Sequence, residues 1–364
     1  VSRIVVFGAT GYTGENTARE LVAGGAKPVL AGRNADRLKK LAAELGGLET
    51  QVADVSRPAS VIALVDRGDV LVSTVGPFGR WGAPAVEAAI DRGAWYLDST
   101  GEAGFIRRVF EEFGPRAESA ETALVTAFGF DYVPGNLAGA LALAGAGSHA
   151  VAVDVGYFLH GPVGVSGGTR TSMVQASLAR NFAFHGGRLR TERAGARVVE
   201  LRLSDGRRRS GVSVGASEHF GLPPLHPTLT DVTVVLGLPM PLLSLAPVAT
   251  GAAQVALNVP GARSATSALA RRLVKGSTGG PDAAAREQGR VTVVAEARSA
   301  SGDVLHRVQL NGPDPYDFTF RILAWGAMTA AEHGLHGTGA VGPVQAYGLD
   351  ELRDGAAAAG LTEE

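Results

Sequence analysis

The sequence predicts an α/β domain with a doubly wound parallel sheet, followed by a second α+β domain with a mostly antiparallel sheet. Three observations carry this. Through residues 1–150, short apolar runs alternate with segments of helical period, the pattern of parallel strands joined by helical crossovers. The first run ends in Gly8, Gly11 and Gly14, three apart, at the point where the first helical pattern opens. After residue 151 the texture changes to longer β-patterned runs separated by turn residues. A chain of 364 residues is also too long for one ordinary core.

The first domain reads in order. Residues 3–7 form a strand, and Ala18, Leu21, Val22 and Gly25 recur after it at helical spacing. Residues 28–31 are the next strand, and Asn34 is placed to cap a helix with Leu38, Leu41, Ala42 and Leu45 on one face. Strands over 50–53, 70–74, 95–97 and 123–127 then alternate with helices over 59–65, 83–91 and 105–113.

In that setting the glycine triplet is interpretable. Gly8 allows a tight turn, Gly11 lets the backbone approach a pyrophosphate, and Gly14 lets the helix pack closely on the sheet. The helix N-terminus favours the anion. The loop Gly8, Ala9, Thr10, Gly11, Tyr12, Thr13, Gly14 is therefore a candidate dinucleotide site, and the domain a Rossmann domain. At the end of the second strand the chain reads Leu30-Ala31-Gly32-Arg33, with no acid for ribose hydroxyls and a guanidinium suited to a 2′-phosphate. NADP is expected rather than NAD or FAD, with Arg37 and Lys39 as further cations nearby. Asp54 is placed to meet the adenine edge or, equally, to cap the next helix. Thr74, Val75, Gly76, Pro77 and Phe78 are small or rigid residues expected to line the nicotinamide ribose.

The candidates for chemistry follow the later strands. Trp81, Asp98, Thr100, Glu102 and Phe130 are substrate-binding candidates, while Asp131 and Tyr132 are the catalytic pair. Asp98 and Glu102 could equally cap helices or pair with arginine, and Asp131 could form an Asx turn before Pro134. Arg170 is expected to reach the cleft from the second domain and hold a carboxylate, carbonyl or phosphate. His160 and His185 lack metal-ligand spacing, no HExxH or Ser-His-Asp order occurs, and no metal is expected.

In the second domain, residues 151–158 open a sheet and 176–184 read as helix. Residues 197–203 and 209–214 form a hairpin about Asp205-Gly206, and 290–298 with 304–310 form another. Residues 318–333 are a helix expected to pack back on the first domain. The domains are thus 1–150, 151–315 and 316–364. Val232 to Ala262 carries no charge, yet Pro239, Pro241 and Pro247 break any continuous helix. A buried interface, a lid over a lipophilic substrate or peripheral membrane contact through 232–257 is expected there.

A net charge of −1 provides no field to attract nucleic acid. The absence of cysteine excludes disulfides and thiolate chemistry and fits the cytoplasm. The chain enters a strand at once, so no secretory leader is expected. A homodimer through the second sheet is the expected assembly.

The ordered set GATGYTG, AGR, STVGPFGRWG, YLDSTGE and FGFDYVPGN resembles the saccharopine dehydrogenase-like oxidoreductases. Within that group it is most similar to the trans-acting enoyl reductases of actinobacterial lipid and polyketide pathways. The segments 167–172, Asp314-Pro315-Tyr316 and Gly342-Pro343 also fit. The resemblance implies an inserted α+β substrate domain and an NADPH-dependent reductase of a conjugated C=C bond. Reduction of a C=N bond, as in the amino-acid branch of that group, is the alternative. A catalytically silent NADP-binding scaffold is the third.

Overall fold

A computed structural model of the chain describes residues 2–161, 181–237 and 279–364. These fall into two units. One comprises residues 2–133, 279–280 and 316–360, and the other comprises 134–161, 181–237, 281–315 and 361–364.

In the first unit β1 (Ile4–Phe7), α1 (Tyr12–Ala23), β2 (Val29–Gly32), α2 (Ala35–Glu44) and β3 (Thr50–Val52) come first. They are followed by α3 (Pro58–Ile62), β4 (Val70–Ser73), α4 (Phe78–Trp81), α5 (Ala83–Arg92) and β5 (Trp95–Asp98). Then come α6 (Ala103–Arg108), α7 (Gly114–Ser119) and β6 (Ala123–Val125). All neighbours are parallel, in the order β6-β5-β4-β1-β2-β3, so the winding reverses between β1 and β4. Ligands of such sheets bind outside the strand C-termini at that reversal. β1, β2 and β4 are buried along their whole length, which is why they read as unbroken apolar runs instead of alternating ones.

The local signals explain the elements. Thr17, Ala18 and Leu21 form the buried stripe of α1, and the chain turns off it at Gly25, whose φ of +86° suits glycine. Asn34 caps α2 by accepting a hydrogen bond from the Arg37 amide at 2.9 Å. The single helix expected over 105–113 is instead α-helical to Arg108, and Val109–Phe113 forms a π turn. That wider turn directly precedes Gly114-Pro115, where proline supplies no N–H to the ladder.

The C-terminal part of this unit begins in helix Pro315–His333, which buries Phe318, Phe320, Ile322, Leu323, Ala327 and Ala330. Its Trp325 meets Phe128 and Tyr347 in a ring cluster with centroids 4.9–6.5 Å apart. A strand that the sequence reading missed, Gly339–Ala340, then pairs parallel with β6 and closes that edge of the sheet. At two residues it is too short to show a period.

The second unit takes most of helix Val133–Ala146, then β7 (Ala152–His160), β8 (Asn181–Phe184), β9 (Leu189–Glu192), β10 (Val198–Arg202) and β11 (Arg208–Ser213). β12 (Asp231–Gly237), β13 (Arg290–Arg298), β14 (Val304–Gly312) and the short strand β15 (Thr362–Glu363) complete its main sheet, in the order β10-β11-β12-β7-β13-β14-β15. Pairing is antiparallel except between β7 and β12. Gly206, at φ +84°, turns the β10–β11 hairpin, closed by the Leu203 amide on the Arg207 carbonyl at 2.8 Å. Phe158, Leu201, Leu203, Val235 and Val294 pack on one face of this sheet.

One sequence expectation changes here, and another falls mostly outside the described residues. The helix expected over 176–184 fails in its described part, because Asn181–Phe184 is a strand paired with β9. Phe182 packs there on Phe220 and His219, an anchorage that only tertiary structure supplies. The uncharged run begins as β12, and residues 238–262 lie outside the described residues. Among the described residues no helix is long and apolar enough to cross a membrane.

Candidate functional site

The three glycines of the first loop are required for different reasons. Gly8 has φ +93°, and a Cβ there would lie 2.6 Å from Thr74 Oγ1. A Cβ on Gly14 would lie 2.3 Å from the Gly8 carbonyl oxygen. Both glycines are thus demanded by the protein's own packing. Gly11 differs: φ is −87°, and among the described residues an added Cβ would approach only the Gly8 carbonyl, at 3.2 Å. Among the described residues, side-chain packing does not account for glycine at position 11. Gly11 is also the N-cap of α1, and the first-turn N–H groups of a helix have no intrahelical acceptor. A glycine at a helix N-terminus, where backbone N–H groups are free to meet an anion, fits a pyrophosphate. Thr74, at the end of β4, donates its hydroxyl to the Phe7 and Gly8 carbonyls at 3.2 and 3.3 Å, fastening the two sides of the winding reversal. Ala9, Thr10, Tyr12 and Thr13 complete this loop, the Tyr12 ring turning into an aromatic cluster.

Arg33 follows β2, is exposed, and makes no hydrogen bond or ion pair among the described residues. Arg37 reaches the first loop, donating to the Thr10 carbonyl at 3.0 Å. Asp54 accepts from both the amide and the hydroxyl of Ser56 at 2.8 Å. Those bonds, with the attraction of Arg57 and Arg33, hold its carboxyl below the usual range. An unpaired guanidinium beside the loop matches a 2′-phosphate, and no carboxylate of β2 competes for it.

The loops after β4, β5 and β6 are bound into one strip. Glu102 accepts from the Phe78 and Gly79 amides at 2.8 and 2.9 Å, so its carboxylate caps α4. Thr100 accepts from the Glu102 amide at 3.1 Å. Asp98, fully buried, accepts from the Thr100 and Ala127 amides at 2.9 Å and from the Thr126 hydroxyl at 2.8 Å. Burial pushes its pKa up to about 6 against those hydrogen bonds. Asp98, Thr100 and Glu102 thus hold the loops together through their own polar atoms. Val75 and the cis Gly76-Pro77 peptide run between Thr74 and α4, and Phe78 packs on Phe105 at 5.6 Å. Trp81 carries the Arg80 guanidinium over its ring at 4.3 Å.

Asp131 stands apart from the other acids. Its half-buried carboxyl makes no hydrogen bond or ion pair among the described residues. Removal from water pushes its pKa up to about 6. It lies over Gly101, where a Cβ would come 2.6 Å from Oδ2. The sequence reading overlooked Gly101, since a glycine within a loop announces nothing until its neighbour is known. Phe130 and Tyr132 flank Asp131 and are buried; the Phe130 amide donates to Thr319 at 3.0 Å and the Tyr132 amide to Ala127 at 2.7 Å. Arg170 lies outside the described residues.

Comparison with known proteins agrees with this geometry. Residues 4–126 match the family described as the saccharopine dehydrogenase NADP binding domain. This region is an NADP-binding domain of the saccharopine dehydrogenase type. Over 140 residues the chain is 38% identical to a trans-acting enoyl reductase of Mycobacterium leprae, covering 37% of this chain and 34% of that one. A putative trans-acting enoyl reductase of Mycobacterium tuberculosis is 40% identical over 140 residues, covering 37% and 33%. The chain thus spans about a third of the length of the curated relatives it matches. Apo saccharopine dehydrogenase (L-Glu forming) of Saccharomyces cerevisiae shares the fold over 100% of this chain and 99% of that one. Its TM-score is 0.60 at 11% sequence identity. The saccharopine dehydrogenase-type domain includes the glycine loop, Arg33, Asp54, the β4 and β5 loops and β6; Asp131 lies five residues beyond the matched region.

Proposed function

We propose that the protein is an NADPH-dependent oxidoreductase that reduces a conjugated C=C bond of a lipophilic acyl substrate. The observation that carries the reading is Asp131, whose carboxyl makes no hydrogen bond or ion pair among the described residues and has its pKa raised to about 6, beside loops in which Asp98, Thr100 and Glu102 are hydrogen-bonded. NADPH, when bound, supplies the hydride. The Gly8–Gly14 loop would hold the pyrophosphate, Arg33 the 2′-phosphate, and the loop of Thr74, Val75, Gly76, Pro77 and Phe78 the nicotinamide ribose. Asp131 would hold the proton on a carboxyl oxygen and deliver it to the carbon next to the carbonyl. Phe130 and Tyr132, buried on either side in sequence, limit the access of water to that carboxyl without closing it off.

The charge of the loops favours C=C over an amino-acid imine. Residues 74–79, 98–102 and 127–132 contain no Lys, Arg or His to receive substrate carboxylates. The nearest cation in sequence, Arg80, lies against Trp81. The 140-residue match to enoyl reductases points the same way.

The test is loss of NADPH absorbance with a panel of enoyl thioesters and cyclic imines. Turnover of enoyl thioesters, with kcat/KM falling as pH rises through about 6, is the expected result. Imine turnover alone would overturn the C=C reading. Binding of NADPH with no turnover of either class would leave the scaffold reading.

A further inference from the structure

Tyr12 sits in the dinucleotide loop, one residue past Gly11, yet its ring is engaged elsewhere. It meets Tyr316 edge-on at 5.3 Å and Phe320 edge-on at 5.5 Å, both on the first turns of helix Pro315–His333. On another side it fills the space of a missing side chain: a Cβ on Gly280 would lie 2.5 Å from the ring. The Tyr12 carbonyl accepts from the Asn16 side chain at 2.8 Å, which ties the backbone under the ring to the next turn of α1. Gly280 and Tyr316 also stand where the chain leaves and re-enters the first unit.

We propose that Tyr12 is a positioning residue for NADP, acting through an aromatic clamp with Tyr316, Phe320 and Gly280. Its ring touches the clamp, while its backbone belongs to the first turn of α1, whose N–H groups face the pyrophosphate site. The clamp thereby sets the orientation of those N–H groups, and helix Pro315–His333 becomes part of the cofactor site without contacting the cofactor. Edge-to-face rings fix an orientation that an aliphatic side chain of similar size does not. Coupling of this kind is reciprocal, so nucleotide binding must also steady the helix.

Fluorescence titration with NADPH, thermal unfolding and hydrogen exchange test this together. Tyr12→Leu is expected to weaken NADPH about tenfold, while Tyr12→Phe, which keeps the ring, stays within about twofold. Tyr316→Ala, which leaves the loop sequence untouched, should also weaken NADPH, and its effect should be non-additive with Tyr12→Leu. In the unaltered protein NADPH should slow amide exchange at residues 319–324, and in Tyr12→Leu it should not. Should Tyr12→Leu fail to fold, Gly280→Ala keeps every other side chain and should still weaken NADPH by displacing the ring. Unchanged affinity in Tyr12→Leu, Tyr316→Ala or Gly280→Ala, or exchange at 319–324 indifferent to NADPH, would overturn the proposal.

Discussion

Replacing Asp131 by asparagine should make the protein more stable and less active. The carboxyl's pKa rises from 3.8 to about 6 because folding strips it of water, with no partner among the described residues to offset that loss. A gap of about two pH units is worth about 3 kcal/mol at 1.36 kcal/mol each. Because Asp131 is half-buried, water still reaches it, and the expected gain is about 1–3 kcal/mol. The sign follows from proton binding. Between pH 4 and 6 the folded carboxyl holds more protons than the unfolded one, so the native chain loses stability as pH rises through that window. Asparagine carries no charge, so its advantage should be full above pH 6 and fade as pH falls towards 4. Urea unfolding followed by tryptophan fluorescence reads this unit, because all three tryptophans, Trp81, Trp95 and Trp325, lie in it. On an accepted substrate, kcat and kcat/KM should fall together with NADPH affinity preserved. A variant that is destabilised at pH 8, or whose advantage does not change with pH, would show the reasoning to be wrong.

Other substitutions probe the cofactor site and the strip beside it. Gly11→Val should abolish NADPH binding with the fold retained, since among the described residues an added Cβ meets only the Gly8 carbonyl, while the branched side chain would occupy the path of an approaching pyrophosphate; calorimetric titration and circular dichroism decide it. Arg33→Ala should weaken NADPH by about 1–3 kcal/mol and leave NADH nearly unchanged, in parallel titrations of the two cofactors. Glu102→Gln replaces one of two acceptors with a donor facing the Phe78 and Gly79 amides, and should cost about 1–3 kcal/mol of stability by urea unfolding. An unchanged midpoint would mean that α4 is anchored by other means.

The alternation of the first domain was legible because parallel strands covered on both faces leave continuous apolar runs, such as Ile4–Phe7 and Val70–Ser73. Asn34 and Gly206 were legible as a cap and a turn because their roles are local. The double need at Gly8 was half-legible: its turn is local, but the Thr74 hydroxyl that crowds it comes from 66 residues away. The partners of Asp98 and Glu102 were hidden for the same reason, since both carboxylates are spent on amides of distant loops. Residues 181–184 misled because the stretch before them favours helix, whereas their pairing with β9 and the ring of Phe220 decide the matter. Gly339–Ala340 left no trace, being a strand only by virtue of β6.

That short strand bears on how the chain acquires its shape during synthesis. Its partner β6 lies more than two hundred residues earlier, and Phe128 must wait for Trp325 and Tyr347. Closing contacts so distant costs entropy before it returns anything, which slows folding. Once residues 1–133 have left the ribosome, the β6 edge of their sheet is still bare, with an uncovered ring beside it. A bare edge invites pairing with another chain. This first unit is finished only when the segment 316–360 emerges, so a fragment cut to the matched domain alone should aggregate where the full chain does not.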